Sequence, residues 1–319
     1  MQFLVTGAAG FIGSQVTERL LEQGHEVRGI DCFTDYYPRP LKEKNLEIAR
    51  QHQAFTFVEE DIAETDLKAL LDGVEVVIHL AAQAGVRRSW GANFQIYTHN
   101  NIISTQALLE AGKDLDLKKF VYASSSSVYG DTPDLPMRET GACWPVSPYG
   151  VTKLAAEHLC SLYRKNFGLN TVSLRYFTVY GPRQRPDMAF HRFIRAILEG
   201  GEIRLFGDGG QSRDFTFVSD VVQATVDAAL TPETVSGVFN IGGGARVTIN
   251  QVIAILEEIL GRKAEIRRLE VAKGDVRNTE ADNTRAREFL GFHPSYGLKQ
   301  GLAAEADWVR QMQPLLKEL

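Results

Sequence analysis

Cysteine is scarce: Cys32, Cys143 and Cys160 are the only three in 319 residues. An odd, scattered set frames neither a disulfide network nor a metal-ligand spacing, so a reduced cytoplasm is the expected compartment and no metal is expected. Long apolar runs are also missing. No stretch approaches the roughly 18 residues of a membrane span, and the first residues enter a strand where an export signal would carry a basic region and an apolar segment. The chain therefore reads as soluble and unexported, with no membrane partner. Basic blocks are absent as well: Arg87-Arg88 and Arg267-Arg268 are isolated pairs on a chain of net charge -5, so no nucleic-acid partner is expected. His79, inside Val76-Val77-Ile78-His79-Leu80, reads as a satisfied core residue and not as a ligand.

What is present supports a full core, with 44% hydrophobic and 24% charged residues. Gln2 to Thr6 is a short apolar run that stops at Gly7-Ala8-Ala9-Gly10-Phe11-Ile12-Gly13, after which Val16, Leu20 and Leu21 recur at helical spacing. Strand, glycine turn and helix in that order place open amides where a pyrophosphate binds, although the spacing is G-x-x-G-x-x-G and not G-x-G-x-x-G. The next strand, Glu26 to Ile30, ends in Asp31, eighteen residues beyond Gly13 and suited to accept from both hydroxyls of an adenosine ribose. An acid there repels a 2'-phosphate. The expected cofactor is NAD.

Strands and helices keep alternating. Phe55 to Glu59 leads to Asp61-Ile62, Val74 to Leu80 leads to Ala81-Ala82-Gln83, Asn101 to Ala111 reads as a helix and Lys119 to Ala123 as a strand. A helix from Tyr149 to about Phe167 and a strand from Thr171 to Tyr176 follow. The fold class is α/β, a doubly wound parallel sheet (Rossmann) with a smaller α/β substrate-binding domain. Residues 1–176 form the first domain, with 215–230 returning to it, and 177–214 and 231–319 form the second. Later expectations are a helix at Ala189 to Leu198, a strand at Ile203 to Phe206 and a helix capped by Ser219-Asp220. A strand at Val238 to Ile241, a capped helix at Thr248 to Leu260 and a last helix at Leu298 to Gln311 complete the chain.

Tyr149 and Lys153 sit four residues apart, hence on one helix face, where an ammonium can favour phenolate and make the tyrosine a general base. Together with Gly7 to Gly13 and Ser124-Ser125-Ser126-Ser127-Val128-Tyr129-Gly130, this pair resembles the extended short-chain dehydrogenase/reductases that act on nucleotide sugars. The resemblance implies that Ser125 hydrogen-bonds the reacting hydroxyl, Tyr149 is the base and Lys153 its electrostatic partner. It assigns NAD to Gly7, Gly10, Phe11, Ile12, Gly13, Asp31, Asp61, Ile62, Ala81, Ala82, Gln83 and Asn101. It also implies a homodimer built through the helices that hold Asn101 and Tyr149.

Within that family, 4,6-dehydratases carry an Asp-Glu pair before Val-Tyr-Gly and decarboxylases a glutamate, whereas Ser126-Ser127 stands here. Oxidation at C4 and its reversal remain, which is epimerisation. The stretch Arg175 to Phe190 looks most like UDP-glucuronate 4-epimerases. The resemblance then gives the UDP-sugar to Ser126, Ser127, Thr178, Met188, Ala189, Phe190, Leu205, Phe206 and Arg213, with Asp275 on the uridine ribose. Arg185 is the candidate fork for a sugar carboxylate, with Arg87 second. Many relatives place arginine where Ala272 stands, and Arg277 is the candidate replacement on the diphosphate. Rival readings are a UDP-glucose or UDP-N-acetylglucosamine 4-epimerase, a UDP-glucuronate decarboxylase and a non-catalytic NAD-binding regulator.

Overall fold

A computed structural model describes residues 1–318. The chain begins β1 (Gln2–Thr6), α1 (Phe11–Glu22), β2 (Glu26–Ile30), α2 (Arg39–Arg50), β3 (Phe55–Val58), α3 (Leu67–Leu70) and β4 (Val76–His79). Next come α4 (Phe94–Thr98), a π-helical turn (His99–Ile103), α5 (Ser104–Gly112), β5 (Lys119–Ser125), α6 (Pro148–Phe167) and β6 (Thr171–Tyr176). The remainder is β7 (Val179–Tyr180), α7 (Ala189–Glu199), β8 (Glu202–Phe206), β9 (Ser212–Asp214), β10 (Thr216–Phe217) and α8 (Val218–Leu230). These lead to β11 (Gly237–Ile241), β12 (Arg246–Thr248), α9 (Ile249–Leu260), β13 (Glu265–Leu269), α10 (Thr284–Leu290) and α11 (Leu298–Glu318).

Seven strands form one sheet in the order β11-β6-β5-β4-β1-β2-β3, and every neighbouring pair runs parallel. A parallel sheet must be covered on both faces, which is why β4 and β6 are buried along their whole length. Val5, Ile78, Val121, Leu174 and Phe239 lie fully inside the largest core cluster. Each such side chain contributes about 1.5–3 kcal/mol on burial. Strand order reverses between β1 and β4, so the crevice that receives a ligand opens at the carboxyl ends of these strands.

Four expectations need correction. The helical run ahead of α5 starts at Phe94, seven residues before Asn101, and passes through the π turn. His99-Asn100-Asn101 are weak helix formers, but the Asn101 side chain is held by Gln83 and Thr152, so tertiary bonds carry the helix through them. Ser219 and Asp220 do not cap α8: its N-cap is Phe217, and the Asp220 carboxylate accepts instead from the Ser295 amide and hydroxyl. The strand Gly237–Ile241, expected in the second domain, pairs with β6 and forms the edge of the central sheet. Lastly, α11 continues past Gln311 to Glu318, through Pro314. The Thr248 cap is as expected, a capping box with Gln251, and Gly261 ends α9 at φ 67°.

Candidate active site

A cleft of about 890 Å³ lies over the carboxyl ends of the strands, between the central sheet and the small β8–β13 and β9–β12 pairs. One end of it is backbone. Gly7 turns at φ 67°, and a Cβ on Gly13 would stand 2.1 Å from the Gly7 carbonyl oxygen, so the turn closes onto α1 only with glycine there. Gly10 caps α1 without a side-chain bond, and no acid stands in the first turn. The orphan amides and the positive helix end are thus left for an anion. Asp31, half-buried at the end of β2, accepts from the amides of Ala9 and Phe33, and burial outweighs these bonds to raise its pKa.

The expected cofactor residues Gly7, Gly10, Phe11, Ile12, Gly13, Asp31, Asp61, Ile62, Ala81, Ala82 and Gln83 all line this cleft. Asn101 stands behind the wall. Its Oδ1 accepts from the Gln83 amide at 2.7 Å, and its Nδ2 donates to the Gln83 carbonyl and to Thr152 Oγ1 on α6. A buried chain continues from there: Asn101 O accepts from Thr105 Oγ1, which meets His79 Nε2, and His79 Nδ1 faces Thr6 Oγ1 at 2.7 Å. His79 is a satisfied core residue as expected, and burial pushes its pKa down to about 3.

Ser125, Ser126, Ser127, Tyr149 and Lys153 share the same cleft. Ser147 caps α6 by accepting from the Gly150 amide, which fixes the start of the helix and so the direction of Tyr149. Behind the serines, Ser124 Oγ donates to Glu157, which is paired to Arg175 at 2.6 Å inside the core. Burial raises the Tyr149 pKa, against the Ser125 hydroxyl and the Arg185 guanidinium, which lower it. Lys153 was expected to supply that lowering. It lies buried with its ammonium 4.8 Å from the Tyr122 ring centroid, and desolvation brings its own pKa down to about 7.

The other end of the cleft is built from charged side chains. Arg185 Nε and Nη2 donate to the two Asp187 oxygens at 2.9 and 3.0 Å, and Tyr36 donates to the same carboxylate. Arg87 makes a bidentate pair with Asp275 and stacks 4.0 Å over the Phe206 ring. Thr178, Met188, Ala189, Leu205 and Arg213 also line the space. Phe190 and Arg277 do not. Phe190 packs in the core against Tyr180 and Phe215, and Arg277 is paired with Asp208 on the surface. Tyr36, Arg88, Asp187 and Arg192 line the cleft without having been singled out; the Arg-Pro-Asp run beside Arg185 was the available signal for Asp187. Among the described residues no cluster of His, Cys, Asp and Glu suits a metal, and no helix is long and apolar enough to cross a membrane.

Fold and cleft define a dinucleotide-dependent enzyme of the parallel α/β class. The chain belongs to the NAD dependent epimerase/dehydratase family, whose model matches residues 3–242. It is 42% identical to a UDP-glucuronate 4-epimerase of Thermodesulfobacterium geofontis, over 99% of this chain and 98% of that one. A Bacillus subtilis protein described as an uncharacterized UDP-glucose epimerase is 45% identical, over 98% of this chain and 99% of the other. The crystal structure of UDP-glucuronic acid 4-epimerase from Bacillus cereus, in complex with UDP-glucuronic acid and NAD, superposes with a TM-score of 0.96. The identity there is 47%, covering 98% of this chain and 100% of that one.

Proposed function

We propose that the protein inverts C4 of UDP-glucuronate to give UDP-galacturonate through a 4-keto intermediate. The observation that carries the choice of sugar is Arg185, a guanidinium in the same cleft as Tyr149 and near enough to lower the phenol's pKa. Relatives of similar identity bear the names of both the acidic and the neutral sugar, so the likeness alone does not choose between them. The glycine turn, the open end of α1 and the Asp31 carboxylate fit NAD, which when bound takes up the C4 hydride and returns it. Tyr149 as phenolate takes the C4 hydroxyl proton, Ser125 orients that hydroxyl, and Lys153 in its charged form favours the phenolate.

Ser126 and Ser127 offer hydroxyls where an acid would be needed to remove the C5 proton, so the keto sugar is reduced again on its other face. Held by Arg185 and these serines, the carboxylate is kept from the geometry in which a β-keto acid loses CO2. UDP falls to Thr178, Met188, Ala189, Leu205, Phe206, Arg213 and Asp275. Residues 1–176 with 215–230 act as the NAD part and most of the remainder as the UDP-sugar part. Exposed Ile96, Ile103, Val151, Leu162 and Phe167 on α4 to α6 support a homodimer through those helices, and a cytoplasmic location fits a nucleotide-sugar substrate. Proton NMR with UDP-glucuronate, UDP-glucose and UDP-N-acetylglucosamine in turn tests the reading. C4 inversion of the first without CO2 release is expected, and inversion of only a neutral sugar would refute it.

A further inference from the structure

A guanidinium has two edges that accept a carboxylate side by side, one formed by Nε and Nη2 and the other by Nη1 and Nη2. Asp187 takes the first edge of Arg185, at 2.9 and 3.0 Å. The second edge is left for another carboxylate. The pair is held firmly: Tyr36, from the loop after β2, donates to Asp187 Oδ2 at 3.2 Å. Two residues before Arg185, Arg183 grips Glu18 on α1 with both terminal nitrogens, and Gln15 of the same helix donates to the Pro182 carbonyl. The guanidinium therefore meets a ligand in a set orientation and already half-balanced in charge. We propose that Asp187 sets the preference of this site between acidic and neutral sugars by sharing the guanidinium of Arg185, an inference that rests on Arg185 being the carboxylate receptor.

With Asp187 in place, a neutral sugar meets no unbalanced cation, and an acidic one meets an open fork with a like charge close behind it. The Asp187 carboxylate thus weakens the hold on the acid and lets the sugar turn over during the reaction. Arg88 lies with its guanidinium 5.2 Å from the Tyr36 ring centroid, Arg192 lines the same cleft, and His191 is buried close enough to feel the Asp187 charge.

Asp187→Asn keeps the shape and removes the charge. Measured by calorimetry on NAD-loaded protein in a Tyr149→Phe background, which silences turnover, it should tighten UDP-glucuronate binding about ten-fold. UDP-glucose binding should stay within about two-fold. Asp187→Ser, which removes the charge and the paired oxygens together, should shift the ratio of the two dissociation constants in the same direction. An unchanged ratio in both variants, weaker UDP-glucuronate binding, or equal movement of the two sugars would overturn the inference; the last outcome is what a merely structural role gives. Arg185→Gln separates the two ideas. If it leaves UDP-glucuronate affinity unchanged, the receptor reading itself fails. If it weakens that affinity while Asp187→Asn does not strengthen it, only the role of Asp187 fails.

Discussion

At the end of the cleft proposed for the cofactor the facing groups are backbone amides at Phe11 to Gly13 and small side chains such as Ala81 and Ala82, set by a turn that the Gly10 amide closes onto the Gly7 carbonyl. At the end proposed for the sugar they are long cations, and two of them are already bound to a carboxylate of this same protein: Arg185 to Asp187 and Arg87 to Asp275. The difference follows from electrostatics. Backbone amides at a helix end cost little while they wait for a phosphate, whereas a largely buried guanidinium such as that of Arg185 must be balanced at once; Arg87 is exposed, and its pair with Asp275 carries no such demand. One end is therefore rigid and general, and the other is an exchange of counter-ions in which selectivity can be tuned by charge.

The largest effect should come from breaking the rigid end. Gly13→Ala puts a methyl 2.1 Å from a carbonyl oxygen, an overlap with backbone that costs about 3 kcal/mol or more. The expected outcome is protein that purifies without NAD, checked by nucleotide released on denaturation; normal NAD content would contradict the account. Breaking the charged end should be milder and sugar-dependent. Arg185→Gln should raise KM for UDP-glucuronate by roughly 10- to 100-fold, the loss of a charge-assisted bidentate contact, with little change for UDP-glucose.

A smaller effect separates Lys153 from Tyr149. Burial lowers the Lys153 pKa to about 7, so between that pH and its unfolded value the unfolded chain binds the extra proton and stability rises with pH. Below about pH 7 both states are protonated and the full penalty of the buried ammonium remains. For protein prepared without NAD, Lys153→Met should therefore melt above wild type at pH 6, by a margin that shrinks as pH rises towards 10. A constant margin would remove the buried-charge argument. The smallest effect concerns Arg277, which is tied to Asp208 on the surface. Arg277→Ala should leave KM for UDP-glucuronate unchanged, and a rise comparable to that of Arg185→Gln would restore it to the diphosphate.

How much was legible in the sequence follows the same division. Gly7 to Gly13, Asp31 and the Tyr149–Lys153 pair were readable because each depends on local spacing: a turn, a strand end, one helical turn. The seven-stranded sheet was readable from alternation, but its last strand was not, since Val238 to Ile241 joins β6 across more than sixty residues of chain and no local signal marks that return. At the proposed sugar end the arginines were visible and their pairing was not. Asp187 stands two residues from Arg185, but Asp275 meets Arg87, and Tyr36 meets Asp187, only when loops from distant parts of the chain converge. Phe190 looked like a substrate contact from its place in the motif, but the aromatic cluster with Tyr180 and Phe215 draws it into the core.

In the proposed reaction a C4 hydride leaves the sugar and comes back to it within one protein-bound cycle. UDP-glucuronate carrying deuterium at C4 tests this most directly, with the product isolated from ordinary water and its C4 label read by NMR. UDP-galacturonate should form with the deuterium retained at C4. Loss of the label to solvent, or a pentose product with release of CO2, would contradict it.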